Sequence, residues 1–273
     1  MMRGIWDRET VALLLLAALM PLALAWLWYG GIEAAGRLAL TLLVSGLWHL
    51  IFMLARAQPP SFAGALTALA VAMLAPEDLG IFRLVMGISF GTVMGELVFG
   101  GWGRNVVNPA TITLAFLGFG FPAAPWPDFV LPVAWAAIPA AGLGILLGVI
   151  SGRIIAGALL AALLAWAIPG GAWPAGLEKV LPVAWIGLIL LVCDPVASAA
   201  TRPGRWGNGL LYGALIVLFA TGWDGGAPVQ ITVSAALLAS LAAPILDEAA
   251  IALWRARRHR ALARKTEDTS WLT

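Results

Sequence analysis

The chain has 273 residues, 62% of them hydrophobic and only 11% charged, with a formal net charge of +2. Soluble domains of this size are about half apolar and about a quarter charged, so no water-soluble core accounts for this composition. Its apolar runs are continuous and rich in Leu and Ala rather than short and alternating, which excludes a β-barrel and leaves an all-α polytopic membrane protein.

The sequence pI of about 9.1 is not a nucleic-acid signal. The basic residues fall in loops and in the tail, where a membrane protein uses them for orientation, so the expected partner is the lipid bilayer and no nucleic acid. Cys193 is the single cysteine, and His49 and His259 are the only histidines. No internal disulfide, zinc cluster or iron–sulfur spacing follows from that set.

In chain order, the opening MMRGIWDRET leads into an apolar run without a clean cleavage pattern, read as a retained first span. A spanning helix needs about 20 apolar residues. On that ruler the segments are roughly 10–30, 34–56, 61–76, 80–99, 108–122, 129–151, 153–169, 180–194, 206–222 and 228–254. About ten transmembrane helices form a single membrane domain, residues 1–273. A first repeat covers about 10–122 and a second about 129–254, and a basic cytoplasmic tail runs over 255–273. Five spans per half make the repeats inverted. Short proline-broken segments, SFAGALTALAVAMLAPED and LPVAWIGLILLVCDPVAS, fall at matching places and point to a midplane site.

Charge placement fixes an orientation. With both termini cytoplasmic, Arg3, Arg8, Arg56, Arg104, Arg153, Arg202, Arg205 and the tail from Arg255 through Arg264 and Lys265 lie inside. Only Arg37, Arg83 and Lys179 lie outside, and most loop acids, among them Glu33, Glu77, Asp128 and Asp224, join them. This is the positive-inside asymmetry.

Between the fourth and fifth segments stands a polar knot, FGGWGRNVVNPA, from Phe99 to Ala110. Asn108 before Pro109 reads as a helix start, the amide capping first-turn N–H groups and the proline losing no bond. That leaves Gly100, Gly101, Gly103, Arg104 and Asn105 unexplained. Exposed amides, an arginine and a helix N-terminus suit a phosphate or the polar edge of a flat ring, and a tight interhelical turn suits the same residues. Asp194, at the end of an apolar run, marks either a cavity or an interfacial cap paired with Arg202 or Arg205. Glu96, one turn before the knot, is similar but nearer the edge. Asp247 and Glu248 are placed near the inner interface opposite the tail arginines. His49 in LWHLIF reads as a hydrogen-bonded helix residue rather than a proton relay, and Trp102 and Trp206 are candidate ring-stacking partners. TRPGRWGN, 201–208, reads as a second cytoplasmic polar loop. No hydrolytic triad, P-loop or metal-ligand spacing occurs.

The run GELVFGGWGRNVVNPA, 95–110, resembles the signature shared by the B subunit of the sodium-pumping NADH:quinone oxidoreductase (Nqr) and the D subunit of the Rnf complex, approximately G-K-x-x-x-G-G-x-G-x-N-x-x-N-P-A. ALTALAVAMLAP (65–76), CDPVASAATRPGRWGNGLLYGALI (193–216) and APILDE (243–248) are similar to further blocks of that family. The resemblance implies ten helices in two five-helix inverted repeats, like urea transporters. It implies a membrane subunit of an Rnf/Nqr-like electron transport complex in the bacterial inner (cytoplasmic) membrane, with flavin-linked transfer coupled to Na+ or H+ movement and other membrane and redox subunits as partners. By position, Asn105 and Asn108 match the asparagines of the family motif, associated with a flavin or quinone-side pocket, and Asp194 matches the family's intramembrane aspartate, linked to the cation path. The candidate cofactor-binding residues are Gly100, Gly101, Gly103, Arg104, Asn105 and Asn108, and the candidate ion path holds Asp194 and Glu96.

One departure matters. The family attaches FMN to a threonine of an S-G-A-T segment after the fifth helix, whereas the loop here is FPAAPWPD, 121–128, without a threonine. Covalent FMN is therefore not expected, and a non-covalent flavin, FMN or riboflavin, is the remaining form. The competing reading is a channel or transporter for a small polar solute on the same scaffold, and a third is a structural anchor for a redox complex.

Overall fold

A computed structural model describes residues 7–56, 61–129, 131–168, 170–171, 173–174, 176–223 and 225–270, with side chains through Arg260. Among the loop and tail charges invoked above, Arg3 and Asp224 lie outside that description, as do the side chains of Arg264 and Lys265. The described residues contain no strand. The helices are α1 (Arg8–Arg56), α2 (Ala63–Leu74), α3 (Gly80–Thr92), α4 (Pro109–Gly120), α5 (Leu131–Leu146), α6 (Gly152–Ala167), α7 (Leu177–Gly187), α8 (Arg202–Gly222) and α9 (Pro228–Ser270). Single π-helical turns extend α3 (Val93–Leu97) and α7 (Leu188–Val192). Three stretches, Arg8–Arg56, Gly80–Leu97 and Pro228–Arg260, are long and apolar enough to cross a membrane, and shorter apolar helices fill in between. This is a helical membrane protein.

The first two sequence segments join into the single element α1, broken at Gly31 (φ 57°, ψ −144°). A side chain at that φ is strained, so glycine alone turns the chain without a loop. Arg8 and Arg56, at the two ends of α1, donate to Trp102 O (3.1 Å) and Leu97 O (2.8 Å) respectively. Both ends of α1 therefore meet the same end of the bundle, and α1 is a hairpin. At the other end Arg37 donates to the carbonyls of Ala75 and of Pro76 (2.8 Å for the latter). The first of these is the carbonyl of the C-cap of α2, which the helix itself leaves without a donor.

Helix α2 is the centre of the first half. Its twelve residues are nearly all buried, packed among α1, α3 and α4. Ser45 of α1 donates to Gly64 O (3.1 Å), and the imidazole of His49 fills the space over Gly64, 2.6 Å from where a Cβ would stand. In lipid, helices associate through close backbone approach and interhelical hydrogen bonds, which favours small residues at crossings. Gly87, Gly91 and Gly95, one turn apart, lay α3 and its π-turn on Leu117, Thr113 and Pro109 of α4. Helices α6 and α8 meet in the same manner: Gly157 lies on the backbone of Trp206, Gly209 and Leu210, a methyl on Gly209 would fall on the carbonyl of Ile154, and one on Gly213 would stand 2.6 Å from Ala161 Cβ.

The ninth segment begins earlier than hydropathy suggests. TRPGRWGN is not a loop but a capped helix start: Thr201 Oγ1 accepts from Gly204 N (3.1 Å), with proline in the first turn. Helix α9 continues past the expected 254 to Ser270.

Candidate functional site

The site begins where α3 gives way to its π-turn. That turn, Val93–Leu97, buries Glu96 fully. The chain then reverses through Gly100, Gly101 and Gly103 at φ 103°, 92° and 98°. Every N–H from Gly100 to Arg104 is committed within the knot. Gly100 donates to Leu97 O (3.1 Å), Gly101 to Glu96 O (3.1 Å), Trp102 to Glu96 Oε1 (3.1 Å), Gly103 to Asn105 Oδ1 (3.2 Å) and Arg104 to Gly101 O (3.3 Å).

The two asparagines are buried rather than exposed, which corrects the expectation of free amides. Asn105 Nδ2 donates to Val107 O (3.2 Å), so both ends of that amide hold the loop. Asn108 Oδ1 accepts from Ala110 N (2.8 Å) and Thr111 N (3.4 Å), the expected cap on α4. Its Nδ2 donates to Asp194 Oδ2 (3.0 Å). The two halves of the sequence thus meet in one buried hydrogen bond. Asp194 Oδ1 accepts from Val196 N (2.9 Å), so Asp194 is paired with Asn108 and its own loop rather than with Arg202 or Arg205. The Nε of Arg205 donates to Ala199 O (3.1 Å) instead.

Glu96 is deeper than expected. Its Oε1 lies 3.0 Å from Nε2 of His49, whose Nδ1 lies 2.9 Å from Ser45 O. Its Oε2 is buried without a hydrogen-bond partner among the described residues. Two lone ionisable residues in the spans of one half are a signal for such a pair, since charges at membrane depth seek partners. Nothing in the sequence points to Arg8 and Arg56 as braces of the knot.

Behind the knot, Leu15, Thr67, Trp102, Asn108, Ile189 and Asp194 enclose a cavity with about 20 Å³ open to the centre of a water-sized sphere. That is room for about one water. A larger cavity of about 230 Å³ flanks the other side of the Asp194 segment, between Ser151, Cys193, Ser198 and Arg205. The interior of the knot does not fit a flavin: its cavity is too small for the ring and its amides and N–H donors are engaged. The outer face differs, with Arg104 exposed beside Val98, Phe99 and Val106, each about half exposed. Trp102 is buried against Ala12 and Ala63, and its indole does not face outward. Trp206, 44% exposed, lies in the first turns of α8. Asp247 of α9 accepts from Ala200 N (2.7 Å), Thr201 N (2.9 Å) and Thr201 Oγ1 (2.5 Å), holding the second loop. No group of three or more His, Cys, Asp or Glu able to hold a metal occurs among the described residues.

Residues 5–141, which contain the knot, match the family described as NQR2, RnfD, RnfE. Over 279 positions the chain is 28% identical to the B subunit of the Na(+)-translocating NADH-quinone reductase of Stutzerimonas stutzeri (strain A1501), covering 83% of this chain and 68% of that one. The same subunit from Azotobacter vinelandii is 28% identical, and that from Yersinia pestis 29%, each covering 77% of this chain and 64% of the relative. The chain spans about two thirds of the length of these relatives.

Proposed function

The chain belongs to the NQR2, RnfD, RnfE family, and from that premise we propose that it is a membrane subunit of an Nqr- or Rnf-like electron transport complex, with electron transfer coupled to cation movement. The observation that carries the reading is the buried Asn108–Asp194 hydrogen bond, which ties the family's glycine–asparagine knot to the acid of the other half. The cation passes Asp194, between the two cavities that flank its segment. The chain works with other membrane and redox subunits in the inner membrane, both termini and the knot on the cytoplasmic side.

A non-covalent flavin, FMN or riboflavin, rests on the outer face of the knot. Arg104 takes its polar edge, Val98, Phe99 and Val106 its ring, and Asn105 and Asn108 hold the shape of the surface. Such a group supplies one- and two-electron transfer when bound. Covalent attachment is not proposed, because residues 121–129 include no serine or threonine to form the ester.

The fold is read as two inverted five-helix repeats. Supporting this, α4 and α9 start with the same pattern, Pro109-x-x-Ile-Thr113 and Pro228-x-x-Ile-Thr232, at opposite ends of the bundle. In each the threonine Oγ1 donates to the proline carbonyl at 2.9 Å. Each threonine also packs against a glycine of a helix that ends in a π-turn, Gly91 and Gly187.

The test is the visible spectrum of the protein purified in mild detergent. Flavin released on denaturation is expected, with less of it in Arg104→Ala and in Asn105→Ala/Asn108→Ala. A colourless preparation sinks the flavin reading. The alternative, a channel or transporter for a small polar solute, draws on the open recess of about 430 Å³ beside Arg37 and Asp78 at the far end of α2. Solute uptake into proteoliposomes without a redox partner would favour it.

A further inference from the structure

We propose that Glu96 and His49 form a one-proton site, and that the cation this site takes is H+ and not Na+. The proposal deepens the cation-coupling role above and rests on it for the use made of the proton, though not for the site itself.

Each imidazole nitrogen faces a different acceptor. Nδ1 lies 2.9 Å from Ser45 O, and a carbonyl can only accept, so Nδ1 carries a hydrogen. Nε2 lies 3.0 Å from Glu96 Oε1. If both atoms were bare, two sets of lone pairs would face each other in a dry interior. One proton therefore belongs on the Nε2–Oε1 line. It is held either as a carboxyl beside a neutral imidazole or as a carboxylate beside an imidazolium. Both forms have the same composition and the same net charge of zero. Releasing the proton to a carrier or to water leaves a carboxylate, a neutral imidazole and one negative charge. No electron moves.

The surroundings select for the proton. Hard cations such as Ca2+ and Mg2+ are held by shells of several oxygens, and Na+ is a hard cation of the same kind. Here Oε1 already accepts the Trp102 N–H at 3.1 Å and shares the proton on the line to Nε2, so little lone-pair density is left on it for a metal cation. The other oxygen, Oε2, is buried without a partner among the described residues. The charged groups around the pair are spoken for. From the first limb of α1, Arg8 donates to Trp102 O and Glu9 accepts from Phe62 N. From its second limb Arg56 donates to Leu97 O, and from the other half Asp194 is held by Asn108 and Val196. Helices α2 and α4 contribute no titratable side chain. Because the same Oε1 anchors Trp102, occupancy of the site is tied to the shape of the knot.

Only two histidines exist, so His259→Gln leaves His49 as the sole imidazole. That protein, labelled with 15N-histidine and reconstituted in liposomes, would be followed by solid-state NMR across a pH titration in Na+ and again in K+. Nδ1 should remain protonated throughout, the Nε2 resonance should pass through a single transition as the proton on the Nε2–Oε1 line is lost, whether it rests on nitrogen or on oxygen, and the transition should be the same in both salts. Glu96→Gln should abolish it. An unprotonated Nδ1, a transition displaced by Na+ at fixed pH, or one unchanged in Glu96→Gln would each overturn the proposal. Should Glu96→Gln fail to fold, infrared difference spectra of the unmodified chain supply the second readout: loss of a carboxyl band, or a shift of the carboxylate bands where the proton rests on the imidazole, in step with the His49 transition supports the site, and carboxyl and carboxylate bands that both stay unchanged across it overturn it. None of these readouts depends on bound flavin, so a colourless preparation that retains the transition refutes the flavin reading and leaves the proton site standing.

Discussion

The knot and the second loop, Cys193–Thr201, are built to the same plan from different materials. Each follows a π-turn, each ends on a capped helix with proline in its first turn, and each is held by a carboxylate. In the knot the acid is local: Glu96 reaches forward to Trp102, and glycines at positive φ make the reversal. In the second loop the local acid, Asp194, holds only Val196, and the far end is held by an imported one: Asp247 from α9 binds Ala200 and Thr201, and no residue of the loop has positive φ. A loop that supplies its own acid carries its shape with it. A loop that borrows one moves with the helix that lends it. The first is suited to present a fixed surface, and the second to answer a displacement of α9.

The severest test of this contrast is at the bond joining the two loops. Asn108→Leu removes the cap of α4 and leaves Asp194 Oδ2 without its donor. A lost cap costs about 1 kcal/mol and a lost hydrogen bond to a buried charged group about 1.5–3 kcal/mol, so this variant should show the largest fall in melting temperature in detergent. A double-mutant cycle isolates the bond itself. Asn108→Ala and Asp194→Ala should couple by about 0.5–3 kcal/mol, whereas Asn108→Ala and Asp247→Ala should add independently. An additive result for the first pair would mean that the loops are not joined as described. Asp247→Ala comes next, with a loss of about 1 kcal/mol, because its partners at 200 and 201 are partly exposed and regain water. Proteolysis should then nick the second loop and spare the knot. The smallest effect is expected for Arg8→Gln, about 0.5–1 kcal/mol, from one hydrogen bond to the Trp102 carbonyl.

The caps of the site are legible in the sequence; its partners are not. Asn108-Pro109 announces a helix start by local chemistry alone, and the structure keeps it. The polar reading of 201–208 fails because hydropathy there outweighs the same capping chemistry, Thr201 followed by Pro203. Sequence places Glu96 nearer the edge because apolar runs measure length and not depth, and because its partner His49 lies 47 residues away. The Asn108–Asp194 bond spans 86 residues and leaves no periodic trace. The π-turns are equally silent, since one extra residue in a helical register does not change the apolar character of the run. The turn at Gly31 is legible after the fact as two adjacent glycines in an apolar stretch, but the sequence segments on either side leave room for a loop that the chain does not use.

The brevity of α2 has an electrical consequence. Its twelve residues rise about 18 Å, against about 30 Å for the hydrocarbon of a bilayer. The recess beside Arg37 brings solvent to one end of it, and the cavity beside Thr67 and Asp194 lies at the other. Were solvent to reach that cavity from the knot side, the voltage beside α2 would fall over the shorter distance, making the local field about 1.7-fold steeper by the ratio of those two lengths. A unit charge crossing the whole drop still gains about 2.3 kcal/mol per 100 mV. Here it would do so within a few helical turns, between an arginine and an aspartate.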